Sequence, residues 1–346
     1  MPSISRQWAR LIGIVLLTAS LTPASDFRIS GPHTQENLTI FLIHSSRHEM
    51  GAKLLTLQEA MEQKKVVVYE TGRVNELSIE NLSSDNVYIQ AGDMVKGGQQ
   101  DRVFPTDFLL TSHSGKVPIA SFCVERGRWS KRGVEPEMQF SRADWMAPAK
   151  VKAAARDSKN QSDVWNEVSK AQAGLADAVD RMDVAPGALS GSGSRSVRAF
   201  VAPSTMSMQL ALESNPVVDA TAVYVENLAN IVNGQNDVVG YAYVINGKLN
   251  SAEVYASNDL FRRMWPKLLK SSAAEAFTER GKAGSTGPDI EAVQQTLDSA
   301  ESAPESSKVT KGRLSVTKKE SGKMLLFETR NQDQDSRWIH RSYVVK

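Results

Sequence analysis

Cys123 is the single cysteine in a chain of 346 residues, so no intrachain disulfide can brace the fold and a hydrophobic core must hold it alone. That constraint is sharpened by the N-terminus, which reads as an export signal. Arg6 and Arg10 give a positive start, Leu11 to Leu17 begin an apolar run that fades by Leu21, and Thr22 to Ser25 offer small residues for cleavage after Ala24 or Ser25. The apolar run is too short for a membrane span, which takes about 20 residues. No cysteine near the cut can carry a lipid. The expectation is an exported protein, periplasmic or extracellular, with no membrane span after cleavage of residues 1–25. Small exported domains lean on disulfides; the mature part of this one, about 320 residues, is long enough to bury a core in one large domain or two.

Cleavage also changes the charge. The chain has 41 basic and 39 acidic side chains, and the two extra positives are Arg6 and Arg10. A neutral mature protein lacks the basic surplus that phosphate backbones select, which argues against nucleic acid as a partner.

The pattern along the chain predicts an α+β fold, a mostly antiparallel sheet with packed helices. Short runs rich in branched and aromatic residues (Leu38–Ile43, Val66–Tyr69, Leu77–Glu80, Val87–Ile89) read as strands. Thr56 and Glu59 have capping-box spacing before a short helix. Gly92 to Gly98 is too glycine-rich for a regular element. Strands over Val103–Leu110 and Val117–Glu125 read as a hairpin turning at Ser112–Gly115. Residues 130–204 read as a helical insertion whose clear helix spans Ser162–Met182. Asn215-Pro216 opens another helix, stopped by Asn233-Gly234. Asn246-Gly247 turns a hairpin between Val238–Ile245 and Leu249–Tyr255. The helix over Ser257–Phe277 must kink or break at Pro266.

The main domain is thus placed at 26–278. Residues 279–307 read as an acidic flexible linker with one weak helix around Ile290–Leu297. Residues 308–346 read as a basic tail, a small C-terminal β-rich unit that either stands apart or completes the main sheet.

Chemistry concentrates between Gly92 and Trp129. If the hairpin forms, its open end brings Gln99, Gln100, Asp101 and Arg102 beside Glu125, Arg126, Arg128 and Trp129. A guanidinium fork suits carboxylate or phosphate, and an indole offers a stacking face. Gln99, Arg102, Glu125, Arg128 and Trp129 are therefore the expected contacts for a small anionic or sugar-like ligand, with Gly92, Gly97 and Gly98 as the adjoining loop. Asp101 or Glu125 would serve as acid or base in a hydrolase reading. The competing reading is that these side chains satisfy one another at a sheet end. Gly98 and Gln99 stand where a phosphate loop needs lysine and a hydroxyl, so no nucleotide clamp is expected. Cys123 lacks a histidine nearby in sequence and reads as a buried apolar residue. His44 and His48 have metal-ligand spacing, but across a loop, so neither a metal nor another cofactor is expected.

Gly92 to Arg102, then Pro118, then Cys123 to Trp129 resemble the signature of a bacterial domain family associated with ADP-ribosylglycohydrolases and rhodanese-phosphatases. Val238 to Phe277, with Gly240-Tyr241 and Phe261 to Leu269, resembles its second half. Asp101 stands where the family often has asparagine, residues 130–204 read as an insertion, and the tail after Glu279 has no recognised counterpart. The resemblance implies no established activity; the company the family keeps points to a nucleotide-sugar or phosphorylated ligand. Together these readings favour a non-catalytic ligand-binding or scaffold domain, with the hydrolase as the alternative.

Overall fold

The computed structural model describes residues 27–47, 54–135, 137–157, 160–183, 207–333 and 337–346. The expected signal peptide and His48 lie outside them. The described chain opens with β1 (Phe27–Gln35), β2 (Leu38–Ser45), β3 (Leu54–Thr56) and α1 (Leu57–Glu62). Strands β4 (Val66–Arg73), β5 (Glu76–Asn81), β6 (Asn86–Ile89), β7 (Asp93–Gly97), β8 (Arg102–Val103) and β9 (Phe108–Leu110) follow. After β10 (Gly115–Ala120), β11 (Phe122–Cys123) and β12 (Phe140–Met146) come α2 (Ala149–Asp157), α3 (Gln161–Asp183), α4 (Met208–Leu212) and α5 (Asn215–Leu228). Then β13 (Val238–Ile245), β14 (Lys248–Tyr255), α6 (Asn258–Glu279) and α7 (Ile290–Ser302) lead to β15 (Glu305–Lys311), β16 (Leu314–Ser321), β17 (Met324–Asn331) and β18 (Arg337–Val345). The fold is α+β, as expected, and its strand pairs are antiparallel except β3 with β6.

One sheet of eight strands, in the order β1-β2-β13-β14-β18-β17-β16-β15, forms the floor of the molecule. Its central strand β13 is buried along its whole length because both faces are covered. Tyr241, Tyr243 and Ile245 pack with α5 and α6, while Ala242 and Val244 pack with Val293, Leu297 and Ala300 of α7. The β13–β14 turn has Asn246 and Gly247 at φ 49° and 75°, the left-handed pair a two-residue hairpin demands. Gly240 matters for a different reason: a Cβ there would lie 2.4 Å from the Glu253 carbonyl, so glycine lets β14 close on β13.

Three smaller sheets, β10-β5-β4, β11-β8-β7-β12 and β3-β6-β9, make the second half. Val68, Ile79, Val95, Phe104 and Leu110 are among the residues of their common core. Helices α2, α3 and α4 pack around a further cluster with Val164, Leu175, Met208 and Phe277. The capping box forms as read, with the Glu59 N–H donating to Thr56 Oγ1 and the Thr56 N–H donating to Glu59 Oε2.

Two local expectations are corrected and two are narrowed. The stretch from Gly92 to Gly98 contains a buried strand, β7, because its glycines with positive φ sit at either end and leave Asp93 to Lys96 free to pair. The Val103–Leu110 and Val117–Glu125 hairpin does not form. Four short strands replace it, β10 pairing with β5, β9 with β6, and β8 with β11. Of the two outcomes expected at Pro266, the break is excluded: helix α6 is continuous over Asn258–Glu279, and Phe261, Trp265, Leu268 and Leu269 pack both halves into one core. The helix expected around Ile290–Leu297 in the acidic stretch is α7, which runs further, to Ser302, capped by Asp289 and anchored by an i, i+4, i+7 apolar row. The basic tail completes the main sheet, where β18 pairs with both β14 and β17. Among the described residues no helix is long and apolar enough to cross a membrane.

Candidate functional site

The residues singled out from sequence do meet, although the expected hairpin is not what brings them together. The short β8–β11 pair sets Arg102 opposite Cys123, so the chain on either side, 97–101 and 124–132, converges. Arg128 donates from Nε to Glu125 Oε1 at 2.8 Å, and its NH2 reaches Glu125 Oε2 at 2.7 Å. Arg132 holds Asp101 with both terminal nitrogens, at 3.1 and 3.2 Å. Two backbone amides complete the set, Gly97 N–H to Asp101 Oδ1 at 2.8 Å and Asp101 N–H to Glu125 Oε2 at 3.2 Å. All four carboxylate oxygens are therefore occupied, in side chains 0% and 3% exposed. Arg128 also donates to the carbonyls of Gly97 and Gly98, which fixes the loop it closes.

Arg102 is fully buried beneath Trp129, with its guanidinium carbon 5.8 Å from the ring centroid. It donates to the Gln100 carbonyl at 2.7 Å and lies 3.5 Å from Glu70. Gln99 donates its N–H to Glu70 Oε2, the oxygen nearest Arg102. Gly98 is required here, since a Cβ would sit 2.4 Å from Phe140 Cζ at a φ of 51°. Of the five expected contacts, Trp129 presents a wide face to solvent, being 47% exposed. Arg132, which bidentately holds Asp101, was not singled out from sequence; it sits in the stretch read as an insertion.

A second polar assembly lies where the two halves of the molecule meet. His340 on β18 bridges two carboxylates, Nδ1 to Asp107 Oδ2 at 2.9 Å and Nε2 to Glu253 Oε2 at 2.7 Å. Helix α2 supplies the cations: Lys152 pairs with Glu253, and Arg156 donates to Asp107 Oδ1 at 2.8 Å. Thr329 and the Ala91 N–H also donate to Asp107, and Ser342 to Glu253. Nearby, Lys267 Nζ holds Asp93 at 2.7 Å, and Tyr255 stacks on His340 at 4.7 Å. Gly92 makes room for this, since a Cβ there would lie 2.9 Å from Lys152 Cδ.

Burial alone would push the Asp107 and Glu253 carboxyls up. Arg156 and His340 more than reverse this at Asp107, and Lys152 and His340 hold Glu253 down at about 2. Burial likewise lowers His340, but the two carboxylates outweigh it and raise the imidazole above its ordinary 6.5. The assembly is thus built to stay charged in the interior, as buried charges do when paired and hydrogen-bonded.

The third feature is a groove of about 830 Å³ between α3 and α6. Its floor is apolar, with Ala171 and Leu175 from α3, Leu212 from α4, Ile245 from β13 and Ala274 from α6. Small side chains on both helices leave the space open; a Cβ on Gly174 would meet Thr278 no closer than 3.6 Å. Glu275 lines it, partly buried, accepting from the Ala149 N–H at 2.9 Å and the Tyr243 hydroxyl at 3.0 Å. Burial raises this carboxyl above its ordinary 4.5, against the pull of those neutral donors.

Comparison with protein families gives a match over residues 26–344 to the ARG and Rhodanese-Phosphatase-superfamily-associated Protein domain, ARPP-1. The chain belongs to the ARPP-1 family. The match extends well past Phe277, where the sequence resemblance stops, and takes in the strands of the tail that complete the sheet. No curated protein and no solved structure matches the chain.

Two other candidates in this ARPP-1 chain are engaged elsewhere. Cys123 is buried, and burial pushes its thiol up to about 11; its backbone pairs both ways with the Gln161 side chain. His44 is held between Ser30 Oγ at 2.7 Å and Asp237 Oδ1 at 3.0 Å. Among the described residues no group of histidine, cysteine and carboxylate side chains is arranged to hold a metal ion. The ARPP-1 residues that sequence reading missed are Asp107, Lys152, Arg156 and Glu253, with Glu275 in the groove. The available signal was weak: Glu253 and His340 lie in strands that carry other polar residues, Asn250 and Ser251 in β14 and Arg341 and Ser342 in β18, so neither stands out.

Proposed function

We propose that this ARPP-1 protein is an exported, non-catalytic ligand-binding domain whose ligand lies in the groove between α3 and α6. The groove carries the reading, because its volume falls within the roughly 300–1,000 Å³ typical of small-molecule sites, with an apolar floor and few polar groups. The Asp101–Glu125 cluster argues for binding over hydrolysis. A general acid or base needs an oxygen free to meet the substrate, and all four oxygens there already accept hydrogen bonds. Gln99, Arg102, Glu125, Arg128 and Trp129 are better read as a seal on that sheet end than as contacts for an anionic or sugar-like ligand. Arg6, Arg10 and the apolar run support export, as does a family match that starts at residue 26, directly after the proposed cut.

An environment-sensitive apolar dye such as anilinonaphthalene sulfonate tests the groove. The protein is expected to bind it, and Ala171→Phe, which fills the floor, to weaken binding about tenfold with little change in melting temperature. Equal binding by a folded Ala171→Phe variant refutes the assignment. Deleting residues 1–25 is expected to keep the protein in the cytoplasmic fraction.

A further inference from the structure

The charges lining the groove are unevenly satisfied. Lys150 Nζ donates to the Val345 carbonyl at 2.7 Å. Lys170, Lys282 and Lys346 pair with Glu167, Glu279 and Glu320 at 2.6, 2.9 and 2.6 Å. Every lysine of the lining therefore has a protein acceptor. The carboxylates do not fare as well. Glu275 accepts hydrogen bonds from neutral donors, the Ala149 N–H, the Tyr243 hydroxyl and the Asn250 side chain, and the one cation that acts on it, Lys152, is ion-paired with Glu253 instead. Among the described residues neither Glu275 nor the exposed Asp177 has an ion-pair partner.

We propose that the groove takes an amphipathic primary ammonium compound, its apolar body lying along Ala171, Leu175, Leu212 and Ala274 and its head group on Glu275. This rests on the reading of the groove as a ligand site and adds the chemistry of the ligand. A carboxylate hydrogen-bonded by neutral donors and without an ion pair of its own, at the edge of an apolar cavity, gains more from an arriving cation than from any uncharged head. An anionic head would have to displace the existing carboxylate or carbonyl partners of the lysines, and would meet Glu275 without a cation between them. Burial disfavours the ionised form of Glu275 by more than its neighbours, Lys152 included, favour it, and a directly bound ammonium group supplies the difference. Asp177 adds negative potential on the α3 side of the same groove. Primary ammonium fits better than quaternary, since the carboxylate needs a donor within hydrogen-bond reach.

Calorimetric titration of the purified protein with decylammonium, decanol and decanoate, which share one chain and differ in the head, decides the matter. Decylammonium is expected to bind about tenfold more tightly than decanol, and decanoate more weakly than decanol. Glu275→Gln keeps an acceptor for Ala149 and Tyr243, and is expected to bring decylammonium down to the affinity of decanol, with decanol itself unchanged. Asp177→Asn, at an exposed position, is expected to reduce the preference partly and provides a variant that does not disturb the interior. If decanoate binds as tightly as decylammonium, or the preference survives in Glu275→Gln, the ammonium inference falls while the groove remains a ligand site. If none of the three binds, the groove reading falls with it.

Discussion

Two charged assemblies in this molecule are built from the same materials and do different work. The Asp101–Glu125 cluster ties carboxylates to Arg128 and Arg132, whose side chains are 13% and 19% exposed, and its members come from one stretch of chain, 97–132. The Asp107–Glu253–His340 assembly draws on the loop after β8 and on α2, β14, β17 and β18, and it is wholly enclosed. The first closes a loop onto a sheet end, with water at its rim. The second joins two halves of the protein through side chains buried from solvent. The difference teaches that spacing in sequence and weight in the fold are separate matters. Residues that are close in the chain are easily noticed together, whereas the group on which both halves depend is scattered over more than two hundred positions.

The comparison can be broken by mutation, beginning with His340. It touches both Asp107 and Glu253, so His340→Leu leaves two buried carboxylates sharing less positive charge. The expected cost is about 3–5 kcal/mol in chemical denaturation, a large part of the stability of an ordinary domain. A cost below about 1 kcal/mol would show that the assembly is no more important than a surface pair.

Titration sharpens the same contrast. His340 has a folded pKa raised above 6.5, so its contribution is fully present below 6.5 and is lost as pH rises through the folded value. Glu253 behaves oppositely. Its contribution is full above 4.5 and is lost as pH falls toward about 2. Melting temperature is expected to peak between those ordinary values and fall on both sides, and His340→Gln to flatten the alkaline limb. A profile unaltered on the alkaline side in that variant would place the titration elsewhere.

The smaller effect belongs to the seal. Arg128→Ala removes a hydrogen bond and an ion-pair contact from Glu125, but Arg132 remains 3.6 Å away and water can reach the gap. The expected loss is about 1–3 kcal/mol. If it equals that of His340→Leu, the two assemblies are not distinguished by enclosure.

Local signals in the sequence were read well because each acts over a few residues. The Thr56–Glu59 box, the Asn246-Gly247 turn and the apolar stripe of α3 depend on neighbours that are near in the chain. Strand pairing failed where two short runs close together suggested a hairpin, since β10 has a longer partner in β5 than β9 can offer. The stretch holding α7 read as a linker with only a weak helix because its outer face is acidic and its three anchors are modest in size. The juxtaposition of Gln99–Arg102 with Glu125–Trp129 was legible through the neighbouring strands, but whether those charges were open or already paired depended on Arg132, which no local pattern connects to Asp101. The groove could not be read at all. It comes from small residues on helices separated by most of a hundred positions, and absence of bulk leaves little trace in a sequence.

The placement of β18 has a consequence for the order of events during synthesis. Although it follows the other strands among the described residues, it occupies an interior position of the sheet, between β14 and β17. Until residues 337–345 have emerged, β14 has an open edge, and Glu253 and Asp107 lack the imidazole they share. The large sheet therefore cannot zip up as the chain lengthens. It must wait for β18, the strand that fills the gap beside β14 and brings the imidazole of the buried clasp.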